Sequence, residues 1–382
     1  MAGELGRLGV TVTAMEPGGC SATVSLPDVA RLNLELRIAT RVLVRRAHFA
    51  ARALGELERK AGLLPWAEWL PAGLPVVLRV SCKKSRLYHQ KAVAERIGNA
   101  IRSSTGLETT AAGGETEGEP ESADDTPHQL IVVRFHRDEC TISCDSSGAL
   151  LHRRGWRLAT AKAPLRETLA AALLAASGWD PATPLLDPFC GAGTIPIEAA
   201  LLARRIAPNL ERSFACERWP GFDTTAMAAL RAAARARMLP AAPAAIIGAD
   251  RDAGAIVAAR SNAARAGVAA DIEWREAAVS ALEPPPGATG SVVTNPPYGV
   301  RIGDTRDLRN LYARLGSVAR AHLRGWQVTL LLGETPLERS TGLSLRQVLT
   351  TRNGGLRVRV LTGPVPDTPI EGIDQVDRPP GR

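Results

Sequence analysis

The chain has 382 residues, more than one typical core holds, and its 45% hydrophobic fraction suffices to bury two or three cores. It contains no run of about twenty apolar residues to form a helical membrane span, and MAGELGRLGVTV carries no basic-then-apolar leader pattern, so no signal peptide is expected. Lys and Arg number 47 against 39 Asp and Glu, a net charge of +8 that leans toward a polyanionic partner.

Along the chain, Cys20, Ala22, Val24 and Leu26 alternate with Ser21, Thr23 and Ser25, which predicts a half-buried strand. DVARLNLELRIA follows as a helix and RVLVRRAHF as a second strand. After LPWAEWLPAG, the segment PVVLRVSC reads as a strand, a helix runs from about Tyr88 to Ile101, and LIVVRFH and CTISCD close the region as strands. Two strand–helix–strand modules therefore predict an α+β region up to about residue 150. The segment TTAAGGETEGEPESADDTPH is acidic, Gly-rich and aperiodic, and predicts a disordered surface loop away from nucleic acid. In SCKKSRLYHQK, Lys83, Lys84, Arg86 and Lys91 interleave with Tyr88, the pattern of a surface that grips phosphates. The six cysteines form no CxxC pair. Cys140 and Cys144 share a strand face with Ile142, which predicts reduced core thiols in a reducing cytoplasm and no metal site.

The basic linker SSGALLHRRGWRLATAKAP offers His152, Arg153, Arg154, Trp156 and Arg157 either to a polyanion or as braces between domains. Leu165, Leu169, Ala172, Leu173 and Ala176 then recur at helical spacing, with Gly178 as the stop. A regular β/α alternation follows. Strand PLLDPFC leads to a helix opened by Thr194, and AAIIGAD to a helix from Asp252 to Ala266. IEWREAA and SVVT are further strands, followed by a helix whose face carries Leu308, Leu311, Tyr312, Leu315, Val318 and Ala319. WQVTLLLG, RQVLTTRN and LRVRVLTG complete a doubly wound sheet with an antiparallel edge. His322, near Val318, is read as structural.

LLDPFCGAGT sits at a strand-to-helix turn, where such sheets bind ligands. It lacks the GK[ST] ending of a triphosphate loop, and Pro196 stands where a dinucleotide loop needs its third glycine. Asp187 lies where pyrophosphate would sit and suits a cation instead. S-adenosylmethionine fits, with its ammonium, sulfonium and ribose and no phosphate. Gly191 and Gly193 let the backbone approach it, Thr194 opens the helix beyond, and Asp250 ends the next strand where an acid accepts both ribose hydroxyls.

At the end of the fourth strand, Asn295-Pro296-Pro297-Tyr298 resembles the motif of amino-group methyltransferases. An exocyclic amino nitrogen is a poor nucleophile. The Asn295 side-chain oxygen and the Pro296 carbonyl can accept its hydrogens, Pro297 donates nothing, and Tyr298 can stack on the base. Taken with LLHRRGWR, APLRETLAAAL, LLDPFCGAGTIPIEAA, LLARRIAPN, FACERW and TNPPYGVRIG, the chain resembles the THUMP-domain guanine-N2 RNA methyltransferases, in particular the bacterial group acting on large-subunit ribosomal RNA. The resemblance is dense from about Asp145 to Gly303. It implies a seven-stranded Rossmann-like methyltransferase sheet over 149–365, a ferredoxin-like module over 1–55, a THUMP RNA-binding domain over 56–148 and a flexible tail over 366–382. It further implies S-adenosyl-L-methionine held by Asp187, Phe189, Gly191, Gly193, Thr194, Asp250, Arg251 and Asn295, and a monomeric cytoplasmic enzyme acting on structured RNA. Arg301 and Gly303 match the family's extension of the motif, with Arg301 placed toward RNA. One departure stands out: Ala278 replaces an acid that often contacts adenine, leaving Glu276 or backbone atoms for that role. The alternatives are a tRNA guanosine as target, an adenine or cytosine of DNA or a protein glutamine, and a non-catalytic RNA-binding assembly factor.

Overall fold

The computed structural model describes residues 1–16, 18–112, 127–157, 165–285, 289–298 and 305–367. Its contacts divide the chain into two units, Met1–Arg154 with Ala207–Ala236, and Gly155–Ile206 with Arg237–Arg382.

The first unit opens with α1 (Ala2–Arg7), the hairpin β1 (Val12–Glu16) and β2 (Gly19–Ala22), and α2 (Leu26–Glu35). The strand expected through Leu26 stops at Ala22, because Ser25 caps α2. Its hydroxyl accepts the Asp28 N–H while the Asp28 carboxylate accepts the Ser25 N–H. Then come β3 (Leu43–Ala50), α3 (Leu54–Gly62), α4 (Trp66–Trp69), β4 (Val76–Lys83), α5 (Gln90–Thr105), β5 (Thr109–Ala111), β6 (Gln129–His136) and β7 (Glu139–Asp145). They build a five-stranded sheet in the order β3-β7-β6-β4-β5. Cys140, Ile142 and Cys144 are fully buried on one face of β7, and burial pushes the Cys140 and Cys144 thiols up to about 12 and about 11. The acidic segment expected to be a loop falls largely outside the described residues, as does most of the tail.

The chain enters the second unit through α6 (Glu167–Ser177), which ends where Gly178 takes the left-handed conformation, then β8 (Leu185–Asp187) and α7 (Thr194–Ala203). It then returns to the first unit for α8 (Thr224–Ala236). Buried hydrogen bonds fix this excursion: Asn209 Nδ2 donates to the Asn33 carbonyl at 2.9 Å, and Trp219 Nε1 donates to Gln129 Oε1 at 2.8 Å. The methyltransferase domain expected over 149–365 includes residues 207–236, yet these pack with the first unit.

Back in the second unit lie β9 (Ile246–Asp250), α9 (Ala253–Arg265), β10 (Ile272–Glu276), β11 (Ser291–Thr294), α10 (Thr305–His322), β12 (Gln327–Leu332), β13 (Arg346–Asn353) and β14 (Leu356–Pro364). The sheet order is β10-β9-β8-β11-β12-β14-β13, parallel except for β14, which runs antiparallel to β12 and β13. Successive strand residues point to opposite faces, so each strand feeds two apolar layers. Leu185, Ile246, Val293 and Leu331 enter one layer with Leu169 and Ile195. Leu186, Ile247, Val292 and Leu330 enter the other with Leu308, Tyr312 and Leu315. His322 is exposed in the last turn of α10, outside the packed face, so the structural role expected of it is not met. The chain winds to β9 and β10 on one side of β8, then to β11 and β12 on the other. That reversal opens a crevice at the carboxyl ends of β8 and β11.

Candidate active site

Asp187 ends β8 and is 1% exposed. Its Oδ1 accepts the Thr294 hydroxyl of β11 at 2.5 Å and the Phe189 N–H at 3.2 Å. Burial raises its pKa to about 7, outweighing those two hydrogen bonds, and the nearby Asp250 carboxylate raises it further. Asp250 ends β9, with Oδ2 accepting the Gly191 N–H and Oδ1 the Asp252 N–H, both at 3.0 Å. The two acids thus brace the crevice wall: one ties β8 to β11, the other holds the glycine turn. Phe189 is half-buried against the α10 layer and Arg251 is exposed.

The two glycines of the turn differ. Gly191 has φ +50° and a Cβ there would meet nothing within 4 Å, so its face is open to a ligand. Gly193 has φ +84° and a Cβ there would lie 2.6 Å from the Trp274 ring, so packing of α7 against β10 itself requires a glycine there. Thr194 is likewise engaged. Its hydroxyl accepts from Arg157 at 2.8 Å, and Arg157 also pairs with Glu167 at 3.0 Å. Arg157, offered by the sequence to a polyanion or as a brace between domains, is instead bonded within the second unit. On β10, Glu276 is exposed opposite Asp250, and Ala278 caps a short 3-10 turn over Val279–Ala281.

The Asn-Pro-Pro-Tyr turn follows Thr294 directly. Asn295 Oδ1 is buried with no hydrogen-bond partner among the described residues. The Pro297 carbonyl accepts the Tyr312 hydroxyl of α10 at 3.1 Å. Tyr298 packs against both apolar layers, its hydroxyl accepts from Asn353 Nδ2 at 3.1 Å, and its ring lies so close to Gly333 that a Cβ there would come within 3.1 Å of it. Burial raises the pKa of both phenols, keeping them neutral. The sequence carries no sign of these roles for Tyr312, Gly333 and Asn353: Tyr312 reads as plain core, and Asn353 as the end of the strand RQVLTTRN. Arg301 and Gly303 lie outside the described residues.

In the first unit, Lys83, Lys84, Arg86 and Lys91 are all exposed around Tyr88, itself 66% exposed. The Arg86 N–H donates to Asp138 Oδ1 at 2.7 Å, fixing the basic loop to the turn between β6 and β7. Arg153 is half-buried, and Arg154 is 8% exposed. Arg154 donates to the Leu151 carbonyl at 2.7 Å, to Asn209 Oδ1 at 3.2 Å and to the Arg37 carbonyl at 2.6 Å. The RNA contact expected of Arg154 is therefore corrected: its guanidinium is spent inside the unit. Trp156 is buried as well. Among the described residues, no group of three or more His, Cys, Asp or Glu is arranged to hold a metal, and no helix is long and apolar enough to cross a membrane.

Known proteins share this architecture. Residues 154–360 match the family described as RMKL-like, methyltransferase domain, and residues 1–43 match the RlmL ferredoxin-like domain. The ribosomal RNA large subunit methyltransferase K/L of Syntrophotalea carbinolica is 33% identical over 396 residues, covering 99% of this chain and 54% of that relative. The chain thus spans about half of that relative's length. A possible methylase from Clostridium difficile 630 superposes with a TM-score of 0.82 at 32% identity, covering 96% of this chain and 95% of that one. SMU.472, solved in complex with SAH, superposes with a TM-score of 0.82 at 27% identity over 94% of this chain and 93% of its own. The family match runs from Arg154, ahead of α6, into β14 and takes in the glycine turn, both acids and the Asn-Pro-Pro-Tyr turn: the chain belongs to the RMKL-like methyltransferase family.

Proposed function

We propose that the chain transfers a methyl group from S-adenosylmethionine to the exocyclic N2 amino group of a guanosine in 23S ribosomal RNA. The residues at the crevice fit this cofactor. Asp187 and Asp250 put two carboxylates where a phosphate would be repelled and a cationic, ribose-bearing ligand is matched, and Gly191 leaves its side open. Both Asp250 oxygens keep lone pairs for ribose hydroxyls beyond the N–H bonds they accept. Adenine falls to Phe189 and to Glu276 or the backbone at Ala278. When bound, the cofactor supplies an electrophilic methyl group, and the SAH in SMU.472 supports this reading.

The observation that carries the proposal is the buried Asn295 Oδ1, which has no partner among the described residues. An unmet buried acceptor costs about 1–3 kcal/mol, and a base amino N–H supplies the donor it lacks. As the amino nitrogen gains positive charge in the transition state, that hydrogen bond strengthens, which is where stabilisation raises the rate. The Pro296 carbonyl is the second acceptor. Tyr298 offers a ring whose plane is fixed from behind, a platform for an unstacked base. The guanosine arrives flipped or single-stranded, since its amino group is hidden in a duplex. The nitrogen proton leaves to solvent after transfer. The Syntrophotalea relative's name and the exposed Lys83, Lys84, Arg86 and Lys91 around Tyr88 support RNA as the carrier, gripped by a THUMP-like first unit.

Nucleoside mass spectrometry of 23S rRNA and tRNA from a deletion strain tests this directly. One N2-methylguanosine in 23S rRNA should vanish, return with the wild-type gene, and stay absent with Asn295→Ala. A loss confined to tRNA would redirect the substrate, and full rescue by Asn295→Ala would end the acceptor role.

A further inference from the structure

β13 and β14 are joined by Gly354 and Gly355, both at positive φ (+56° and +87°), as a tight two-residue hairpin requires. The residue before such a turn usually faces solvent. Here Asn353 is half-buried and its amide reaches out of the hairpin to the Tyr298 hydroxyl at 3.1 Å. Tyr298 follows β11, whereas β13 is the outer strand at that edge of the sheet, separated from β11 by β12 and β14. The contact therefore spans the carboxyl end of the sheet. Between the two lies Gly333, just after β12, whose missing Cβ leaves room for the Tyr298 ring. Arg359 of β14 holds that floor: its Nε donates to the Gly333 carbonyl at 3.2 Å, and its guanidinium pairs with Glu338 at 3.1 Å.

We propose that Asn353 is a positioning residue for methyl transfer, holding the Tyr298 ring against Gly333 so that its orientation is set before a base arrives. This rests on the methyltransferase reading above. A ring free to swing would have to be ordered by the substrate, and misplacement of a stacked base by about 1 Å costs up to about a hundredfold in rate. Asn353 touches neither the cofactor acids nor Asn295, so its loss should appear in turnover and leave cofactor affinity alone.

A double-mutant cycle decides it. Asn353→Ala and Tyr298→Phe should each lower kcat for RNA methylation about fivefold, the worth of one neutral hydrogen bond. The double variant should be no worse than either single one, and SAH affinity by calorimetry should stay within about twofold. Asn353→Asp, which accepts from the tyrosine hydroxyl instead of donating to it, should recover most of the rate. Unchanged turnover in Asn353→Ala, or losses that multiply in the double variant, would overturn the proposal. Fluorotyrosine NMR reads the ring without activity, since the chain has three tyrosines, Tyr88, Tyr298 and Tyr312. The Tyr298 resonance should be broad or split in the wild type and narrow in Asn353→Ala, and identical spectra would also overturn the proposal. A wild-type chain that binds SAH but methylates no RNA would refute the substrate reading, and the fluorine spectra would then show separately whether Asn353 holds the ring.

Discussion

Asp187 sits fully buried at the end of β8, where its negative charge has no water to solvate it. Its unfolded-state pKa lies near 3.8, while burial lifts the folded value to about 7. Between those values the unfolded chain has released a proton that the folded chain keeps, so stability falls as pH rises from about 4 to about 7, by a total of the order of 4 kcal/mol. Asp187→Asn keeps an oxygen for Thr294 and Phe189 without the charge. The cofactor-free variant should therefore be more stable than wild type in urea at pH 8, with the two converging at pH 4. A cation in the crevice favours the carboxylate, so S-adenosylmethionine affinity of the wild type should rise between pH 6 and pH 8, and that rise should vanish in Asp187→Asn. Arg154 makes a different residue-scale case. Arg154→Ala strips donors from two carbonyls and from Asn209 Oδ1, and should cost on the order of 3 kcal/mol in denaturant, against under about 0.5 kcal/mol for Lys84→Ala. Sequence could not separate the two, because Arg153 and Arg154 sit in an aperiodic basic run and the partner Asn209 lies far along the chain.

The glycine turn between β8 and α7 sets ligand approach against packing within a single element. Gly193→Ala forces a methyl to within 2.6 Å of Trp274 at a left-handed φ, and should lower stability by about 2–4 kcal/mol in thermal melts. Gly191→Ala should melt within a few degrees of wild type yet lose about tenfold or more in SAH affinity by calorimetry. Read from sequence, both glycines have the same ligand-facing role. Sequence could not show that Trp274, two strands from the turn, would fill the space beside Gly193. The parallel strands were legible because each carries a short apolar run between helical periods, and the acids at their ends were legible because they interrupt those runs. The short α4 and β5 carried weaker patterns, as did the Asn353 contact, which depends on a hairpin tip meeting a turn more than fifty residues earlier.

At the scale of the whole molecule, charge and connectivity matter most. Replacing Lys83, Lys84 and Arg86 together with alanine should weaken RNA binding and flatten its salt dependence by about two log units per log unit of salt, with SAH affinity unchanged. The chain also crosses between its units more than once, since residues 207–236 belong with the first unit although α6, β8 and α7 precede them. Until that stretch has left the ribosome, the Asn33 and Leu36 carbonyls and the Gln129 side-chain oxygen lack the donors that Asn209 and Trp219 bring. A nascent chain ending at Arg154 therefore holds every strand of the first sheet and still cannot close that unit, and β8, made before residues 207–236 arrive, must wait in turn for β9 and β11. Biogenesis of the two units is interleaved rather than sequential. A gene cut at the apparent boundary after Arg154 should give two insoluble halves, and co-expressing them should restore soluble protein.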